Sequence, residues 1–425
     1  MIIIYKFITT ITYPLLIFII FLRKVLKKED NVRYKEKIFS KHFNIKRNKN
    51  SKLIWFHAAS IGELKSIFPI LNELKNENES FEFLITTVTL SSGNLAKKEI
   101  ENYSNVHHRF FPLDINFLIK KFLHGWQPNI IFLVDSEIWP NLILNANQLK
   151  IPIALINGRI TKKTFKKWKL FKNIAKKIFS SFSLCLSSSN ESKTYLEELG
   201  ANNIYNLGNI KLVNKNAFKE TSSNEIMLTK LKYWCVTSTH KGEERFCLET
   251  HKILKEDHGN IITIIAPRHI NRVNEIKKLC DEFSLESQIL NSDQKIQEGK
   301  EIIIINSFGI LSKFFKYSKS VFMGKSLLKK FIQEGGQNPI EAAQLGCKVY
   351  HGPYIYNFKE IYDILKENLI SQEINDSKEL AKYINQDFEK KGDNIQISNL
   401  VRNLGQKTLT DTMKQINLFL KNEII

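Results

Sequence analysis

The sequence predicts an α/β protein made of two similar domains, each a parallel sheet with crossover helices. Three observations lead there. Short apolar runs alternate with polar loops and helix-period segments from Ser51 to about Gly208, and the alternation resumes beyond about Leu228. The text between turns polar, with Gly208, Asn209, Asn214, Asn216 and Thr221-Ser222-Ser223-Asn224, as an interdomain linker does. A chain of 425 residues also exceeds what one hydrophobic core organises. The expected division is 1–25 as a membrane anchor, 26–212 and 213–407 as two α/β domains facing each other across a cleft, and 408–425 as a helix able to pack back on the first domain.

Residues 1–22 are almost wholly apolar, interrupted by Lys6, several hydroxyls and Pro14, and Arg23, Lys24, Lys27 and Lys28 follow at once. About 20 apolar residues can span a bilayer, and the basic cluster behind them belongs on the cytoplasmic side. A cleaved signal peptide fits poorly, because the charges come after the apolar stretch and no small-x-small site follows. Lys6 and Pro14 leave open whether the segment crosses or lies in the interface.

Leu53-Ile54-Trp55-Phe56-His57 reads as a strand, Ala58-Ala59-Ser60 and Gly62 as a tight loop, and the next stretch as a helix with Leu64, Ile67, Phe68, Leu71 and Leu74 on one face. Open α/β sheets place ligands outside the carboxyl ends of their strands, and Glu63 is the first residue there able to move a proton. Ser60-Ile61-Gly62-Glu63 equally spells a capping box. Phe81–Val88, Ile130–Val134, Ile151–Ile156 and Leu184–Ser187 read as the following strands. Lys162–Lys177, with Phe165, Trp168 and Phe171 among lysines, reads as an amphipathic helix turned to the core, with a membrane-facing role as the alternative. In the second half Trp234–Thr237, Ile261–Ile265, Ile302–Ile305 and Ser320–Met323 repeat the pattern.

The formal charge of +20 suggests anionic partners, although abundant Lys, Ile and Asn throughout point equally to a compositional bias. No RNP, zinc-knuckle or helix-turn-helix pattern accompanies the charge, so no nucleic-acid partner is expected. Five cysteines without C-x-x-C spacing read as reduced thiols of a cytosolic body. His57, His240 and His269 lie near strand ends, but no His/Cys cluster supports a metal, and ordinary polar loop roles suit each of them as well. The absence of G-x-S-x-G, of a Walker loop and of a strand-associated G-x-G-x-x-G argues against three further enzyme classes. Gly335-Gly336-Gln337-Asn338-Pro339-Ile340-Glu341 is the best anion-binding candidate: two glycines let backbone approach a ligand, Asn338 can cap, and free N–H groups would point at the anion. A plainly capped helix explains the same residues. Arg268, after a strand and fixed by Pro267, could hold a phosphate or carboxylate by two parallel hydrogen bonds.

Together these strings resemble the 3-deoxy-D-manno-octulosonic acid (Kdo) transferases of lipopolysaccharide assembly. The resemblance rests on His57-Ala58-Ala59-Ser60-Ile61-Gly62-Glu63, Ser136-Glu137-Ile138-Trp139-Pro140-Asn141, Asn157-Gly158-Arg159, Leu207-Gly208-Asn209-Ile210-Lys211, Ser238-Thr239-His240-Lys241-Gly242-Glu243-Glu244, Pro267-Arg268-His269 and Gly336-Gln337-Asn338-Pro339-Ile340-Glu341. It implies two facing Rossmann-like domains (GT-B), an N-terminal membrane anchor helix, and inverting transfer of Kdo from CMP-Kdo to a lipid A precursor at the cytoplasmic side of the inner membrane, with no cofactor and no metal. Glu63 would be the general base. Arg268, Gly335, Gly336, Asn338, Glu341 and Ser326 would hold the donor, and Glu137, Arg159 and Lys211 would serve the acceptor side or the structure. Ser60 is then expected to cap its helix while Glu63 turns its carboxylate away from the cap, toward the cleft. The sequence departs from the family at Asn306 and Ile310, where carboxylates are usual, at Lys325 in the Gly-Gly-Ser step, and at Gln337, where the family has His. A GT-B transferase of another nucleotide-sugar and lipid, or a catalytically silent membrane-tethered module binding nucleotide or lipid, remain the alternatives.

Overall fold

The structure is a computed structural model that describes residues 2–39, 47–48, 50–77, 80–213, 224–292, 294–390 and 392–424. Of the expected linker, Asn214, Asn216 and Thr221-Ser222-Ser223 lie outside the described residues. The chain divides into two compact units, Met1–Val213 with Gly405–Ile425, and Asn214–Leu404.

The first unit is a seven-stranded sheet of β1 (Lys52–His57), β2 (Phe81–Thr87), β3 (Val106–Phe110), β4 (Ile130–Val134), β5 (Ile153–Gly158), β6 (Leu184–Ser187) and β7 (Ile204–Asn206). The order is β3-β2-β1-β4-β5-β6-β7, and every pairing is parallel. Successive side chains of a strand point to opposite faces, so β1 feeds two cores. Leu53 and Trp55 join Phe122, Trp126 and Phe179 on one face, whereas Ile54 and Phe56 join Leu64, Ile67 and Leu71 on the other. Both faces being covered, the central strands are apolar throughout rather than alternating. The last helix, Asp393–Glu423, places Leu409, Met413, Ile416, Phe419 and Leu420 in that second core. Its Gly405 passes so close to Leu212 that a Cβ there would stand 2.5 Å from the Leu212 carbonyl oxygen.

The N-terminal apolar segment forms two helices, Ile2–Ile11 and Tyr13–Val25, bent by 50°. No single helix among the described residues is long and apolar enough to cross a membrane; the bent pair passes that test only when taken together. This corrects the expectation of one anchor helix. Pro14, at the start of the second helix, has no N–H to donate and its ring clashes with the preceding turn, so the axis turns there. The lysine-rich stretch likewise breaks into Lys162–Lys169 and Lys172–Phe179, with Phe165 stacked on Tyr195 at 4.3 Å and Phe171 exposed between the helices.

The second unit is also an all-parallel sheet, of β8 (Tyr233–Thr239), β9 (Ile262–Pro267), β10 (Ser287–Leu290), β11 (Ile302–Ile305), β12 (Ser320–Met323), β13 (Lys348–His351) and β14 (Ser371–Glu373), in the order β10-β11-β9-β8-β12-β13-β14. In each sheet the strand order reverses beside the first strand, between β1 and β4 and between β8 and β12. Loops there splay apart and leave a crevice at the carboxyl ends.

Candidate active site

In the first unit the pairing of β1 ends at His57, and the chain turns through Ala58–Ser60 into the helix Ile61–Glu77. Ser60 opens that helix, its carbonyl accepting from the Leu64 amide at 2.9 Å. The Glu63 carboxylate is folded back into the turn: Oε2 accepts from the Ala59 amide at 2.7 Å and Oε1 from the Ser60 hydroxyl at 2.8 Å. The expectation that Glu63 turns away from the cap is therefore corrected. The Ala59 N–H is left without a strand partner where β1 ends, and an ionised carboxylate is the strongest acceptor within reach. The Glu63 amide meets Ser60 Oγ only at 3.4 Å, so the reciprocal half of a capping box is weak. Glu63 is half-buried, not sealed from solvent. Burial first, then the negative charges of Asp135 and Glu137, push its carboxyl up, and the bonds from Ser60 and Ala59 do not cancel that.

Those two acids come from the end of β4. Asp135 holds a left-handed backbone (φ 58°), and its Oδ1 accepts from Asn157 Nδ2 at 2.6 Å while Oδ2 pairs with Lys211. Asn157, itself left-handed at the end of β5, accepts from the Ile210 amide at 3.0 Å and so fastens the Lys211 turn to the sheet. Arg159, half-buried, follows β5, its amide bonded to the Asp135 carbonyl at 3.1 Å. Glu137 Oε2 accepts from Trp139 Nε1 at 2.8 Å and contacts His57 Nε2 at 3.2 Å. Burial works to raise its carboxyl, but the His57 bond and charge and the Trp139 bond outweigh it and hold Glu137 below the usual carboxylate range. His57 Nε2 also meets Trp139 Nε1 at 3.1 Å, so the imidazole, the indole and the Glu137 carboxylate form one cluster; Thr86 Oγ1 meets Nδ1 at 2.9 Å and is itself fixed by Trp55 Nε1 at 2.9 Å. The first unit thus gathers Glu63, Glu137, Arg159 and Lys211 at the carboxyl ends of β1, β4 and β5. Sequence reasoning assigned no role to His57 or Asp135, whose partners stand tens of residues away.

In the second unit the organising residue is one that sequence reasoning gave no role. Glu243 is fully buried, and its carboxylate accepts from four backbone amides: His240 at 2.9 Å, Lys325 at 2.7 Å, Ser326 at 2.9 Å and Leu327 at 3.1 Å. It clamps the loop after β12 to the loop after β8. Its neighbour Glu244, equally buried, is gripped by the two-pronged Arg272 guanidinium at 2.7 and 3.2 Å.

Around this clamp the expected donor residues divide. Arg268 is exposed after β9, and its guanidinium has no partner among the described residues. Asn338 and Glu341 are exposed at the start of the short helix Ile340–Gln344, Asn338 Oδ1 accepting from the Ile340 amide at 3.0 Å. Ser326 is corrected: it is fully buried, its hydroxyl donating to the Met323 carbonyl at 2.6 Å and accepting from the Gly352 amide at 2.9 Å, so it shapes the loop instead of facing a ligand. The expectation of free amides at Gly335 and Gly336 is corrected too, since both donate at 2.7 Å, to the Phe331 and Lys325 carbonyls. Their missing side chains matter for packing: a Cβ on Gly335 would stand 2.3 Å from the Tyr354 carbonyl oxygen. Lys325 sits at φ 57°, a left-handed position where the usual glycine would be unstrained. Burial first, then the charges of Lys325, His269 and Arg272, lower His240 to about 4 and keep it neutral. Among the described residues no group of three or more His, Cys, Asp or Glu is placed to hold a metal ion.

Two parallel-sheet α/β domains with ligand-type loops at their carboxyl ends define the class: the architecture resembles the GT-B glycosyltransferases. A glycosyltransferase from Rickettsia africae ESF-5 superposes with a TM-score of 0.58 over 88% of this chain and 100% of its own, at 14% identity. The UDP-GlcNAc 2-epimerase of Neisseria meningitidis does so with 0.60 over 87% and 100%, at 12% identity. At such identities the likeness is one of fold. The sequence goes further: the family described as "3-Deoxy-D-manno-octulosonic-acid transferase (kdotransferase)" matches residues 33–214. The probable mitochondrial 3-deoxy-D-manno-octulosonic acid transferase of Arabidopsis thaliana is 30% identical over 74% of this chain and 72% of its own, and the Rickettsia bellii transferase of that name 29% over 82% of each. The chain belongs to the 3-deoxy-D-manno-octulosonic acid transferase family, and hence to the glycosyltransferases.

Proposed function

We propose that this protein transfers Kdo from CMP-Kdo to a hydroxyl of a lipid A precursor, with inversion at the anomeric carbon. The observation that carries the chemistry is Glu63: a half-buried carboxylate at the end of β1 whose proton affinity is raised by burial and by Asp135 and Glu137. That is what a base taking a proton from an attacking alcohol needs, since a carboxylate held at its ordinary pKa binds the proton too weakly. To reach the acceptor, Glu63 exchanges its bonds to Ala59 and Ser60 for one to the hydroxyl, a rotation about its own side chain. The carboxylates of Asp135 and Glu137 stay tied to Lys211, His57 and Trp139, so they act on Glu63 as fixed charges.

Donor binding falls to the second unit. CMP leaves as a phosphate monoester, and the unpaired Arg268 guanidinium would meet that charge with two parallel donors. Asn338 and Glu341, exposed at their helix start, would contact the nucleoside, while Glu243, Ser326 and the two glycines hold the surrounding loops in register. The bent apolar helix pair, with Ile3, Phe7, Ile11, Phe18 and Val25 among its exposed side chains and Arg23 and Lys24 at its end, would keep the enzyme at the cytoplasmic side of an inner membrane, close to its lipid. Mass analysis of the product from CMP-Kdo and a purified lipid A precursor tests the reading. A gain of one or more Kdo residues is expected; a donor screen in which only another nucleotide-sugar is consumed would replace it.

A further inference from the structure

A cavity of about 440 Å³ opens at the free edge of the first sheet, between the segment Asp30–Arg33 and the helix Leu90–Glu99. Strand β3 is the edge strand and forms its floor. Gly93 lets the helix approach it, since a Cβ there would stand 2.5 Å from Phe110 Cζ. The walls are cationic. Lys97 is exposed and has no hydrogen-bond or ion-pair partner among the described residues. Arg109 donates to the His108 carbonyl at 3.0 Å and lies over the Trp126 ring, again with no carboxylate bonded to it. Arg33 donates to that same carbonyl at 2.9 Å and forks onto Glu36 at 2.8 and 3.1 Å.

Two acids stand at the pocket: burial works to raise the Asp30 carboxyl, but its backbone bonds and the charges of Arg33 and Lys97 hold it below the usual carboxylate range. Asp30 Oδ1 accepts from the Val32 and Arg33 amides at 2.9 and 2.7 Å, and buried Glu36 from Arg33 and from the Phe110 amide at 2.8 Å. His107 lies toward Glu82 at 3.6 Å. His108, in the wall, bonds Thr87 through Nε2 while its Nδ1 has no partner; burial first, then Arg33 and Arg109, lower it to about 3, so it adds no charge of its own. Arg33, Lys97 and Arg109 thus face the charges of Asp30 and Glu36, which leaves the pocket with a net positive charge.

We propose that this pocket binds a phosphate monoester group carried on a larger polar body. A lining that carries both ammonium and guanidinium donors suits an anion with several oxygens better than a carboxylate, and 440 Å³ leaves room for a sugar or glycerol attached to it. Arg33 follows the last residue of the apolar helices, Val25, by only eight positions, which puts the pocket within reach of a lipid headgroup; a free phosphorylated metabolite offers the same chemistry. This does not rest on the transfer reaction above.

The test uses the full chain in detergent, titrated with dihexanoyl phosphatidic acid, with inorganic phosphate, and with dihexanoyl phosphatidylcholine as the monoester-free control. Phosphatidic acid is expected to bind saturably, and the exposed-site variant Lys97→Glu to weaken it at least tenfold; Arg109→Gln should do the same. Inorganic phosphate binding equally tightly and lost in the same variants supports a free phosphate compound, while binding of phosphatidic acid alone supports a headgroup. The proposal is overturned if neither phosphate binds, if phosphatidylcholine binds as tightly, or if Lys97→Glu with wild-type melting binds as the wild type does. None of these readouts involves sugar transfer, so failure here leaves that reading untouched.

Discussion

His57 carries more of the first unit's active end than any residue near it. Fully buried at the last position of β1, it joins Thr86 to Glu137 and stacks on Phe111 with ring centroids 4.1 Å apart. His57→Ala removes the partner of a mostly buried carboxylate and opens a hole against Phe111, so we expect a loss of about 3 kcal/mol or more in urea denaturation. Glu137→Gln, which keeps shape and the Trp139 bond, should cost clearly less, about 1 kcal/mol. In the sequence His57 was legible only as a polar residue near a strand end. Its partners are 29 and 80 positions away, and no local pattern encodes them. Glu63 was legible in position and not in conformation, because the same Ser-x-x-Glu spacing serves a cap and a base alike.

Among the elements, the loop after β12 shows how a departure from a family pattern is tolerated. Lys325 takes a left-handed backbone at φ 57°, donates its amide to Glu243 and rests its ammonium near Glu334 at 3.9 Å. Lys325→Gly relieves the backbone strain at the expense of greater freedom in the unfolded chain, and loses a long ion pair to an exposed Glu334 and the contact of the ammonium with the Phe331 ring. We expect it to raise stability by up to about 1 kcal/mol, read as a higher denaturation midpoint. Strands were legible where both faces are covered, since β4, β6, β11 and β12 are unbroken apolar runs or nearly so. The edge strands β3, β7, β10 and β14 escaped notice, as did β13; edges are short and polar, as with Val106-His107-His108-Arg109-Phe110, because one side meets no neighbour. The apolar N-terminal stretch was legible as such, yet only the structure shows that Pro14 divides it.

For the whole molecule, the buried neutral imidazoles lower stability in acid, against a smaller opposite contribution from buried carboxyls such as Asp114, which burial first raises to about 6. Burial lowers His108 to about 3 and His351 to about 4, while an unfolded histidine titrates near 6.5. The folded values lie below the unfolded one, so the stability they represent is present above about pH 6.5 and is lost as pH falls toward 4. Each such histidine steepens the loss by up to about 1.4 kcal/mol per pH unit. Urea midpoints between pH 7 and pH 4.5 should fall steadily, and less steeply in His351→Gln. The two-unit division was legible from the repeated strand–helix pattern, whereas the last helix shows its attachment only through packing. Its apolar residues could have faced any groove, and it is Phe419 against Phe132, ring centroids 6.2 Å apart, that fixes them to the first unit.

The most direct test of the central claim is Kdo transfer by Glu63→Gln, followed by mass of the lipid product, with CMP-Kdo binding measured on the same preparation by thermal shift. A neutral amide keeps the shape of the turn and cannot take the alcohol's proton, so transfer is expected to fall about 100-fold or more with donor binding unchanged. Near-full transfer by Glu63→Gln would contradict the claim.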